Sequence, residues 1–136
     1  METIMGSGMT TDLKMLLAVS ILSLFQFMPY FMAYIKHWGI SGIVSNRENM
    51  PTLPDWANRA LDAQKNLNEN LVHFAAIVLI VHAVGASNEM SALGATIFFY
   101  SRLVYWGVYI AGITWVRTVA FMAGFMGELL ILAQLF

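Results

Sequence analysis

RALDAQKNLNENLVH (residues 59–73) is the stretch on which the reading of this chain turns. Within it Arg59, Asp62, Asn66, Glu69 and His73 recur at intervals of three, four, three and four. At about 3.6 residues per turn, those intervals place all five on one face of a helix. The continuation, Leu71–Val84, is apolar apart from His73 and His82. A helix from Pro54 to Val84 rises about 1.5 Å per residue, roughly 45 Å in all. That exceeds the ~30 Å hydrocarbon core of a bilayer, so its first turns project into the headgroup region. A charge held near the bilayer centre costs several kcal/mol. The polar face must therefore look onto other helices or a wet cavity, although for Arg59 and Asp62, near the exit, a solvated face serves equally well.

The surrounding composition agrees with a membrane setting. The chain is 59% hydrophobic and 11% charged, with a mean hydropathy of +0.67, whereas a soluble domain carries about 25% charged residues. A net charge of -1 and no basic block argue against nucleic acid as a partner. Without cysteine there is no disulfide framework and no thiolate of the protein's own. His37, His73 and His82 lack metal-ligand spacing, and no metal site is expected.

Working outward, the sequence predicts an all-α, integral membrane four-helix bundle in a single domain, with helices over about 13–35, 54–84, 91–111 and 114–135. The run Met15–Ile35 has 21 uncharged residues. A signal-peptide core is about 7–15 residues long, so this run reads as a retained spanning helix. Pro29 should kink it. Lys36–Leu53, with Gly39, Gly42, Asn46 and Pro51, reads as a polar loop. Thr52 is a candidate cap ahead of Pro54. Gly85–Met90 reads as a tight turn, and Gly112 ends the third helix. Lys36, Arg47, Arg59 and Arg117 gather on one side against Lys14 on the other. The positive-inside rule then predicts a multi-pass inner-membrane protein with a cytoplasmic first loop and both termini outside.

Arg102 in the third helix answers the polar stripe. At about 1.5 Å per residue it lies roughly 16 Å from the outer helix end, and Glu69 roughly 23 Å from its own. An arginine side chain spans that difference, which predicts a Glu69–Arg102 pair. Tyr105 and Tyr109 follow Arg102 at three and four, and Arg117 opens the last helix. Guanidinium and phenol groups gathered this way suit an anionic, peptide-like ligand. Glu128 is expected to pair or to be protonated, and Gln26 to hydrogen-bond across the bundle.

The segments RALDAQKNLNENL (59–71) and SRLVYWGVYIAGITWVRT (101–118), with the four-helix order, resemble the MAPEG superfamily, membrane-associated proteins in eicosanoid and glutathione metabolism. The resemblance spans nearly the whole chain and is closest to small bacterial members. Ala63, Asn66 and Glu69 match the family's Ala-x-x-Asn-x-x-Glu core. Arg102, Tyr105 and Tyr109 match its Ala-Arg-x-x-Tyr-x-x-x-Tyr core, with Ser101 in place of alanine. The resemblance implies a homotrimer that binds glutathione as co-substrate between subunits, while a hydrophobic small-molecule substrate arrives from the membrane lipids. Asn66, Glu69, Arg102, Tyr105 and Tyr109 carry over as glutathione contacts. Arg117 aligns, across a one-residue gap, with an arginine that activates the thiol. Many members carry an arginine where this chain has Asp62; Arg59, one turn earlier, is the candidate substitute.

The expectation is a membrane-bound glutathione-dependent transferase or peroxidase acting on hydrophobic electrophiles. The alternatives are a non-catalytic protein binding a lipid or a partner in the same groove, favoured by the Asp62 carboxylate, and a small structural subunit of a larger membrane complex.

Overall fold

The computed structural model describes residues 8–136, and every regular element among them is helical. In chain order these are α1 (Thr11–Phe25), α2 (Met28–Ile43), α3 (Asp55–Ala83), α4 (Glu89–Ala111) and α5 (Thr114–Leu132), closed by a 3-10 turn over Ala133–Leu135. The first predicted helix is thus two. Proline at 29 cannot donate to the carbonyl of Phe25, and its ring crowds that carbonyl. The ladder breaks at Gln26 and Phe27 and resumes with Phe31 N–H donating to the Phe27 carbonyl at 2.9 Å. The two pieces still form one apolar run, Thr11–Ile43, of mean hydropathy 1.8.

Helical structure also reaches further into the predicted loop than expected. Gly39, at φ 69° and ψ 173°, breaks the backbone in a region essentially reserved for glycine, after which one more turn forms. The loop beyond folds back on the helix. Trp38 stacks on Tyr34 with centroids 4.5 Å apart, and its indole N–H donates to the Pro51 carbonyl at 2.9 Å. Helix α3 starts at Asp55 with Pro54 as its N-cap and no side-chain cap, so Thr52 does not take that role.

The core lies where α1, α3, α4 and α5 converge, on Val19, Leu67, Phe74, Phe98 and Ile131. Phe74 and Phe98 stack with centroids 3.9 Å apart. Small residues let α4 and α5 approach to backbone contact. A Cβ at Gly127 would stand 2.6 Å from the Gly94 carbonyl oxygen, and one at Gly94 would strike the Gly127 carbonyl in return. This is the small-residue packing used between helices in membranes, where apolar side chains gain nothing by leaving lipid.

Between the α1–α2 pair and α3 runs a row of polar side chains. Ser23 donates to Asn68 at 2.7 Å, and Tyr30 donates to Gln64 at 2.5 Å. Gln26 lies between these rungs, 1% exposed, but its side-chain oxygen has no partner among the described residues. The expected cross-bundle bond from that oxygen is not formed: the flanking rungs use the oxygens of Gln64 and Asn68, and no donor of α3 reaches the Gln26 oxygen.

The apolar surface points outward. Only 17% of the most apolar window in Thr11–Ile43, and 28% of that in Thr114–Leu135, is buried, whereas a soluble protein's core helix would be mostly covered. α3 and α4 fall outside this apolar class because they carry the polar stripes.

Helix α4 begins two residues earlier than expected, at a capping box. The Asn88 side chain accepts from Ser91 N–H at 2.9 Å, and the Ser91 hydroxyl accepts from Asn88 N–H at 2.9 Å. Asn88→Ala should lower stability by about 1 kcal/mol, the usual worth of such a cap. Thermal unfolding in detergent would measure it; an unchanged Tm would deny the box any energetic role.

Candidate functional site

Arg102 sits at the centre of the polar region. It is 2% exposed, among the largest fully buried side chains. One terminal nitrogen donates to the Asn66 side-chain oxygen at 2.7 Å, and its guanidinium carbon lies 4.1 Å from the Tyr105 ring centroid and 5.9 Å from that of Phe121. Its Nε has no partner among the described residues. Arginine tolerates this setting because a delocalised, weakly hydrated cation gains from aromatic faces where it has lost water.

From Arg102 a stack leads toward the α4–α5 turn. Tyr105 and Tyr109 meet edge to face at 5.4 Å, and the Arg117 guanidinium lies 4.5 Å from the Tyr109 ring centroid. The order is arginine, tyrosine, tyrosine, arginine. The spacing of Arg102, Tyr105 and Tyr109 on α4 produces it, and Gly112, left-handed at φ 81°, turns the chain so that Arg117 comes back over the last ring.

The expected Glu69–Arg102 pair is not formed. Asn66, one turn earlier, takes the guanidinium, and Glu69 is exposed on the surface of the single chain. Asp62, Lys65 and His73 are exposed on the same side of α3. Arg59 also has structural work to do: its Nε donates to the Ile110 carbonyl at 3.0 Å, tying α3 to the end of α4. The residues singled out thus fall into two sets. Arg102 and Tyr105 are buried behind the surface; Asn66, Tyr109, Arg117 and Arg59 are partly exposed, and Glu69 is exposed.

One pairing was not legible in the sequence. His73 Nδ1 lies 2.8 Å from a Glu128 carboxylate oxygen, which gives buried Glu128 its partner. It is the one contact within 4 Å between a basic and an acidic side chain among the described residues, and becomes an ion pair when the imidazole is protonated. Among the described residues, neither Arg102 nor Arg117 has a carboxylate within 4 Å, although Glu128 lies close enough to Arg102 to interact with its charge at longer range. Arg117, the more accessible of the two, is thus left free to meet a ligand's carboxylate, with buried Arg102 behind it on Asn66.

Between α4 and α5 lies an apolar groove of about 300 Å³, lined by Tyr100, Ser101, Val104, Val116, Val119 and Ala120 among others and by no residue of the stack. The described residues contain no cluster of three His, Asp or Glu side chains placed to hold a metal.

The sequence model of the MAPEG family matches residues 13–136. A search of curated proteins gives no match.

Proposed function

Because the chain belongs to the MAPEG family of helical membrane proteins, whose general chemistry is that of membrane glutathione-related transferases and peroxidases, we propose that it is a membrane-bound glutathione-dependent transferase or peroxidase acting on hydrophobic electrophiles. The observation that carries this reading is the Arg102–Tyr105–Tyr109–Arg117 stack, in which neither guanidinium has a carboxylate within 4 Å among the described residues. Arg117, Tyr109, Asn66 and Glu69 form the accessible side and meet the glutathione backbone. Arg102 and Tyr105 hold Asn66 and Tyr109 from behind.

Arg117 is the candidate for the reacting sulfur. A guanidinium beside a thiol favours the thiolate, which is the nucleophile. The thiol proton leaves to solvent, the sulfur lone pair forms a bond to the electrophilic carbon, and any leaving group departs with its electron pair. The apolar groove between α4 and α5 offers a hydrophobic electrophile a path from lipid.

The homotrimer belongs to the same proposal. Asp62, Lys65, Glu69 and His73 form an exposed polar strip on α3. Lipid does not tolerate such a strip, and a second copy packed on it would enclose the site between subunits. The Arg59–Arg117 end, with the first loop, is then cytoplasmic.

Asp62 favours one competing reading. Its carboxylate lies on the ligand-facing side, where it would repel those of glutathione, and a non-catalytic lipid or partner binder would share the groove. Calorimetric titration of the detergent-solubilised protein with glutathione separates the two. Saturable binding at millimolar concentration or below, strengthened by Asp62→Asn, is expected; no binding at millimolar glutathione would favour the binder.

A further inference from the structure

At the opposite end of α4 from Arg117 is a second, unrelated cavity of about 270 Å³. It is lined by Thr10, Thr11 and Asp12 at the start of α1, and by Ser87, Asn88 and Glu89 at the start of α4. At about 1.5 Å per residue along α4, it lies roughly 20 Å from Arg102 and roughly 34 Å from the turn that leads to Arg117.

Asp12 makes this more than a gap. It is 2% exposed, and its Oδ2 has no hydrogen-bond partner among the described residues. No cation pairs with it within 4 Å among them either. The first turn of α1 contributes a favourable dipole worth up to about 2 kcal/mol. That helps hold a carboxylate there but gives its buried Oδ2 no hydrogen-bond donor. Ser87 Oγ is a second buried oxygen without a partner, and Glu89 brings a second carboxylate to the rim.

We propose that this cavity binds a primary ammonium group, as carried by an ethanolamine phospholipid headgroup. An ammonium has three donors and no acceptor, which matches the free Asp12 Oδ2 and Ser87 Oγ with the Glu89 carboxylate beside them; the Asn88 amide oxygen is already committed to the α4 cap. A metal ion is a poorer match. Calcium needs about six to eight oxygens at about 2.3–2.6 Å, whereas this cavity is many times the volume of an ion and no three acidic or histidine side chains converge among the described residues. A quaternary ammonium is a poorer match as well, because it is recognised by an aromatic cage and no aromatic residue lines the cavity. The position fits a headgroup: the apolar run Thr11–Ile43 begins at the cavity's edge, where the hydrocarbon layer gives way to the interface.

The test compares the protein in detergent micelles doped with phosphatidylethanolamine or phosphatidylcholine of the same acyl chains, reading bound lipid by native mass spectrometry and Tm by thermal unfolding. About tenfold preferential retention of the ethanolamine lipid is expected, the equivalent of one charge-assisted hydrogen bond. Asp12→Asn should bring that ratio to about one with helix content unchanged. Glu89→Gln, an exposed change, should reduce it part way and serves if the first variant fails to fold. Free ethanolamine reproducing the Tm gain would support the ammonium site and assign it to a soluble amine; a gain from the lipid alone would assign it to the headgroup. Equal retention of both lipids, or a preference that survives in Asp12→Asn, would overturn the proposal. So would stabilisation by calcium where neither amine has an effect.

Discussion

Gly127→Ala is expected to destabilise the bundle by about 3 kcal/mol, the upper end of what forcing extra volume into a packed core costs. The added methyl would stand 2.6 Å from the Gly94 carbonyl oxygen and 3.2 Å from the Phe98 nitrogen, both on α4. Backbone cannot rotate aside as a flexible side chain can, so α4 and α5 must separate. Phe98 belongs to the core cluster, and Gly124, one turn before Gly127 on α5, packs against Ser101 and Arg102. Separation would therefore loosen the core and the site together. Gly107→Ala is the matched control: it lies on the same helix as Gly94, and an added methyl there meets nothing within 4 Å. Alanine in a helix interior is favoured over glycine by about 1 kcal/mol, so Gly107→Ala should hold or raise stability. Denaturation in mixed detergent micelles reads both, and similar values for the two variants would refute the close-contact account.

That contact illustrates what could be read from the chain and what could not. The Gly124 and Gly127 pair is visible in the sequence, but the residue it packs against depends on how far α5 is turned relative to α4. The same limit explains the error at Arg102. Helix depth followed from residue counts and favoured Glu69, with Asn66 about 4.5 Å farther along the helix from Arg102. Three residues on a helix are about 60° apart around its axis, and rotation is set by packing that no single helix encodes. Asn66 faces α4; Glu69 faces outward. Where a feature depends on one residue's own backbone, sequence sufficed: Pro29 broke the first helix and Gly112 ended α4. The Arg102–Tyr105–Tyr109 register was legible for a similar reason, being internal to one helix. His73 with Glu128 was not, since the partners lie 55 residues apart on different helices.

Arg117→Ala is expected to lower kcat/KM for glutathione conjugation about 100-fold near neutral pH, a loss of about 2.7 kcal/mol of transition-state stabilisation. The size follows from removing one preorganised group aimed at developing charge. Its pH dependence carries the mechanistic content. A cation near the sulfur lowers the thiol pKa, and removing it lets that pKa rise toward the free thiol's value of about 8.5. Below that value the variant has too little thiolate and the deficit is full; above about pH 9 both proteins hold thiolate and the deficit shrinks. Arg117→Lys retains a charge without the planar stack on Tyr109 and should fall between the two. Tyr109→Phe, which keeps the ring beneath the guanidinium, should leave the pH profile in place even if glutathione binds more weakly. A deficit of constant size from pH 6 to pH 10 would remove Arg117 from thiol activation and leave it as a carboxylate anchor, with the chemistry to be sought elsewhere along the stack.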